Sequence, residues 1–131
     1  MRTVFLLIIL LLAAGCRQAA LTPTPDASAQ IAQIAQIALT IEPQPPAVGT
    51  ATLTVIVTKQ SQPLAGVSLA VRGDMTHAGM APVIANAKTD AQGKIDIPFK
   101  WSMSGDWIVT VTVTLADNSQ VSQDFNVTVK P

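Results

Sequence analysis

The amino-acid sequence predicts an all-β domain, and three observations carry that prediction. Apolar residues recur at every second position in several stretches, turn-forming clusters separate the stretches, and the body of the chain offers no convincing helical pattern. The clearest stretch sets Trp107, Val109, Val111, Val113 and Leu115 against Thr110, Thr112 and Thr114. Such alternation gives one buried face and one wet face, which a strand satisfies and a helix does not.

Taken in order, the chain opens with a segment of another kind. Arg2 supplies a short positive start, residues 4–12 are continuously apolar, and Ala13, Ala14 and Gly15 are the small residues a signal peptidase requires. The apolar run is 9 residues, whereas a membrane-spanning helix needs about 20. Cys16, the only cysteine, follows Gly15 directly, and residues 12–16 resemble a bacterial lipobox with alanine in place of the usual leucine three residues before the cysteine. The resemblance implies a signal peptide over residues 1–15 and lipid attachment at Cys16. Each buried methylene contributes about 0.8 kcal/mol and one acyl chain anchors only marginally, so two or three chains would hold the protein on a membrane. The expected location is the cell membrane, lipid-anchored and facing the extracytoplasmic side.

Residues 16–36 read as the lipidated cysteine and a flexible spacer. Thr22-Pro23-Thr24-Pro25 favours extended backbone. The triplet repeat through Ile31, Ile34 and Ile37 is too short for a stable isolated helix, and it grades into the first strand. From residue 37 to 131 the alternating runs follow one another. They are Ile37, Leu39 and Ile41; Leu53, Val55 and Val57; Val67, Leu69 and Val71; Ile95, Ile97 and Phe99; the run from Trp107; and Val121, Phe125, Val127 and Val129. Turn signals separate them at residues 45–49, 62–66, 90–93, 104–106 and 117–119. Short strands at this spacing predict an immunoglobulin-like antiparallel β-sandwich of about seven strands.

Composition narrows the function. The charged residues, 8 Lys and Arg against 8 Asp and Glu, are scattered without a run of either sign. Nucleic acid is excluded as a partner, because phosphate binding needs a clustered positive face. With Cys16 committed to lipid, the domain has no disulfide and no thiolate metal site. The chain lacks a phosphate-binding glycine loop and a nucleophile elbow, and no serine is placed by motif to join Asp74 and His77. The sequence therefore reads as a non-enzyme, with no catalytic residues.

One segment stands apart. Residues 73–82 hold the only histidine, His77, and two of the three methionines that remain after Met1, namely Met75 and Met80; the third is Met103. Thioethers suit Cu(I), and imidazole suits copper as well as zinc. On an extended backbone Met75 and His77 leave the same face, and a turn at Ala78-Gly79 would bring Met80 back toward them. Trp101, two residues from Met103, reads chiefly as core, with a lesser reading as a ring over a bound cation. The methionines also read as flexible core filler.

The chain resembles the YtkA-like domains, relatives of FixH-like proteins, over about residues 37–130. The resemblance rests on Pro45, Pro46 and Gly49 before a Thr/Val strand, Pro63 to Gly66, Met75-x-His77-x-Gly79-Met80-x-Pro82, Asp90-x-x-Gly93 and Met103-x-Gly105-x-Trp107. It implies a small extracytoplasmic β-sandwich, with some members linked to copper handling or oxidase maturation. It implies Met75, His77, Met80 and Met103 as candidate metal ligands, Cu(I) as the bound ion, and a membrane protein as partner. The competing reading is a structural or interaction module in which the same segments form a rim that docks onto a membrane transporter or oxidase complex. Replacing Cys16 with alanine is expected to move the protein from the membrane to the soluble fraction; undiminished membrane fractionation would refute the anchor.

Overall fold

Alternation of threonine with valine and leucine is what builds the first sheet. In the computed structural model, which describes residues 34–131, β2 (Gly49–Lys59) turns Ala51, Leu53, Val55 and Val57 inward and Thr50, Thr52 and Thr54 outward. The export signal, Cys16 and the spacer as far as residue 33 lie outside the described residues. β1 (Gln36–Glu42) pairs with one edge of β2, and β6 (Lys94–Trp101) pairs with the other. The two-residue β3 (Gln62–Pro63) extends that second edge at the far end of β2. Gln60 and Ser61, both at positive φ, make the tight turn between β2 and β3.

The second sheet runs β5 (Val83–Lys88), β4 (Ser68–Met75), β7 (Gly105–Thr114), β8 (Gln120–Val129), with every pair antiparallel. The chain crosses between sheets after β3, after β5 and after β6, so β7 returns beside β4 in Greek-key fashion. The fold is thus the immunoglobulin-like antiparallel sandwich expected from the alternation, with 8 strands among the described residues.

The two elements missing from the alternating runs are instructive. β5 faces the core with Val83, Ala85 and Ala87, all half-buried, and alanine contributes little to an apolar pattern. β3 lies inside a stretch that carries turn residues, and its pairing depends on β2. β1 opens at Gln36, inside the triplet repeat, with Ala35 already buried.

Side chains from both sheets fill one core. Leu53, Val55 and Val57 meet Val71, Val109, Val111 and Val113, all with no exposure. Toward one end the core becomes aromatic. Phe99 and Trp101 from β6 lie edge-on with centroids 4.8 Å apart, and Trp101 meets Trp107 of β7 edge-on at 5.3 Å. Gly73 faces inward on β4, where a Cβ would come within 2.6 Å of the Phe99 ring. The absent side chain is what admits that ring. Trp101 is completely buried, so its place is in the core and not over a cation at the surface.

At the other end a polar tie closes the sandwich. Thr89, the buried polar residue among the described residues, donates its hydroxyl to the Leu64 carbonyl at 2.6 Å and accepts the Val67 N–H at 3.1 Å. Asp90 accepts the N–H groups of Gln92 and Lys94, and Asp117 accepts that of Ser119, so these carboxylates do the turn work their positions suggest. Asp106 differs, because it sits in β7 and accepts the Thr128 hydroxyl across the strand pair at 2.8 Å. Replacing the fully buried Val111 with aspartate places a carboxylate between the sheets. The expected loss is several kcal/mol, a large share of the roughly 5–15 kcal/mol that holds a domain together, and an unchanged melting temperature would show the inward face to be misassigned.

Candidate functional site

Strand register brings three loops to one end of the sandwich. Gly49 pairs with Trp101, Gly73 with Val83, Met75 with Trp107, and Gly105 with Val129. Residues 43–48, 76–82 and 102–104 therefore share a pole with the end of the chain. The Val48 N–H donates to the Lys130 carbonyl at 2.9 Å, and the Lys130 N–H donates to the Pro46 carbonyl at 2.7 Å. The start of β1 lies at the opposite pole, where Gln36 pairs with Thr58 and Gln120 with Thr114.

Every histidine and methionine among the described residues belongs to this first pole. Met75 ends β4 on its inward face, half-buried against the core. Its methyl group lies over Gly105, where a Cβ would stand 2.8 Å from the Met75 Cε. Gly105 also has φ of +131°, a conformation side chains rarely adopt. Met103 sits one turn upstream of Trp107, whose indole N–H donates to the Met103 carbonyl at 3.1 Å. That bond fixes the backbone of the turn and leaves the Met103 side chain 48% exposed.

The loop carrying His77 and Met80 is rooted by Thr76. Its N–H and its hydroxyl both donate to the Asp106 carbonyl, at 3.0 and 3.1 Å. Beyond that root the chain bends and turns at Ala78-Gly79, with Gly79 at φ of +88°. His77 is exposed and Met80 is 39% exposed. Extended backbone ends at Met75, so the alternation that would put Met75 and His77 on one face stops before His77. The fold joins Met75 to the residue 102–105 turn through Gly105, and it presents His77, Met80 and Met103 at the surface.

No group of three or more His, Cys, Asp and Glu side chains could hold a metal ion among the described residues. A metal at this pole would depend on sulfur. The neighbouring charge is neutralised locally: on the outer face of β4, Arg72 donates to Asp74 at 2.7 and 2.8 Å, and that hydrogen bond holds the Asp74 carboxyl below its ordinary value. Clefts between β1 and β8, lined in part by Leu39, Ile41, Phe125 and Val127, and those at the opposite pole do not include the four candidate ligands. Thr76, Asp106 and Val48 also shape the pole. The sequence alone suggests a turn role for Asp106 and none for Thr76 or Val48, because their roles at the pole come from pairing between strands distant in the chain.

The model of the YtkA-like family matches residues 29–112, which include all four candidate ligands and run from before β1 into β7. The chain belongs to the YtkA-like family. No curated protein matches it. Among solved structures, the crystal structure of the PmoD soluble domain from Methylocystis sp. ATCC 49242 (Rockwell) is similar, with a TM-score of 0.52 and 16% identity over 71% of this chain and 90% of that one. At that identity the likeness speaks for the fold alone. In the YtkA-like domain, Trp107→Phe keeps an aromatic ring, removes the donor to Met103 and leaves a small cavity where the rest of the buried indole stood. The expected cost is about 2–3 kcal/mol from the lost bond and the cavity together, read as a lower melting temperature with faster amide exchange concentrated in the turn between β6 and β7; unchanged exchange there would mean the bond does not hold the turn.

Proposed function

We propose that this YtkA-like domain is an extracytoplasmic binding module, held on the cell membrane through lipid at Cys16, that takes up Cu(I) through Met75, His77 and Met80, with Met103 as a further sulfur. It is a carrier and not an enzyme, and it either sequesters the ion or hands it to a membrane protein. The observation that supports this reading is the gathering of every described thioether and the lone imidazole at one pole of the sandwich. Thioethers prefer a soft monovalent ion, and a set without thiolates or clustered carboxylates does not favour tight zinc or calcium binding. Met75 lies lower in the fold than the other donors. Recruiting it requires its thioether to lift from Gly105, while His77 and Met80 move on their loop.

The burial of Met75 supports a second reading, in which the pole is an interaction rim and the methionines are packing and contact residues. A Cu(I) competition titration on residues 26–131, beside a Met75, His77 and Met80 triple-alanine variant of matched fold, separates the two. One-to-one binding that the variant loses is the expected outcome. Absence of binding in both proteins would remove the copper reading and leave the rim.

A further inference from the structure

Six large apolar side chains are exposed among the described residues, and three of them, Val48, Met80 and Met103, sit on the three loops of the methionine pole. Those loops, residues 43–48, 76–82 and 102–104, contain no Asp, Glu, Lys or Arg. The turns of the opposite pole carry Asp90 and Asp117. Around the uncharged loops the strand ends supply Glu42, Lys100, Asp106 and Lys130, of both signs. Exposed apolar side chains among uncharged polar ones, with the charged residues confined to the surrounding rim, are the anatomy of a protein interface. We infer that this pole docks onto a separate protein whose contact face is apolar and uncharged, with the residue 43–48 segment as its third element.

Two features favour a protein over the lipid bilayer. The loops have no Lys or Arg to meet anionic headgroups and no exposed aromatic anchor, because Trp101 and Trp107 are both buried. The chain also enters β1 at the opposite pole. β2, with 11 residues, separates the two poles by about 35 Å. A domain tethered through its N-terminal side can therefore offer the methionine pole to a partner standing clear of the lipid. This inference rests on the interaction-rim reading above and adds to it the third loop and the chemistry of the partner's face. It does not require bound metal.

The test uses the full chain in cells, with p-benzoylphenylalanine replacing Ser102 at the pole or Asp117 at the opposite one. Ultraviolet irradiation is expected to give one discrete adduct with another protein from the Ser102 position and none from Asp117. In the same chain Val48→Glu and Val48→Lys, at a position already 46% exposed, are expected to cut that adduct about tenfold or more while leaving the melting temperature unchanged. A dimer of the chain itself, a lipid adduct, equal adducts from both poles, an adduct indifferent to both Val48 variants, or no adduct at all would overturn the inference. Val48 is not a candidate ligand, so Cu(I) titration of the same variants keeps the two ideas apart. Loss of the adduct with copper binding intact supports docking at the pole. An adduct in a protein that binds no copper leaves docking standing and removes the carrier reading.

Discussion

Trp107 is the constraint on which the methionine-bearing end of this protein depends. It is buried on the inward face of β7, meets Trp101 from the opposite sheet edge-on, and pairs in register with Met75. Its indole N–H ties down the Met103 carbonyl. One side chain thus joins the two sheets, marks the end of β4 and sets the backbone of the turn between β6 and β7. A buried indole must find a partner for its N–H or lose the solvation it had in water. Here the partner is a backbone carbonyl of the loop it supports, so the packing of the core and the shape of the pole are set together.

Two glycines make that packing feasible. Gly73 gives up its side chain so that Phe99 can cross from the facing sheet, and Gly105 gives up its own so that the Met75 methyl can rest there. The same end of the domain is therefore tightly filled below and open above. Below it are rings with fixed orientations; above it are loops anchored at few points, among them the paired Thr76 bonds to Asp106 and the backbone bonds of Val48 and Pro46 to Lys130. A soft-metal carrier or a docking surface both benefit from that division.

The two poles differ in chemistry as well as position. At the pole where β1 begins, Asp90 and Asp117 close turns with bonds to nearby backbone N–H groups, and Thr89 ties its strand end to Leu64 and Val67. At the methionine pole the loops offer sulfur, an imidazole, prolines and small apolar groups, with charge confined to the surrounding strands. Turn carboxylates hold a chain in shape; the exposed His77, Met80 and Met103 side chains bury less surface than Met75, which packs half-buried against the core.

Much of the fold was legible in the sequence because a strand's two faces are written in its period. Thr110, Thr112 and Thr114 against Val109, Val111 and Val113 determine which side of β7 is buried, whatever its partners. β5 escaped this reading because alanine hardly marks a face, and β3 because two residues have no period to show. The candidate ligands were visible as residue types, and Met75, Met80 and Met103 belong together through chemistry alone. Only the tertiary structure decided that Met75 turns inward onto Gly105 while His77 turns out, because the strand ends between them and the alternation rule ends with it. Only strand pairing could add residues 43–48 to the same pole, since hydrogen bonds to Lys130 join positions far apart in the chain and leave no local mark on the sequence.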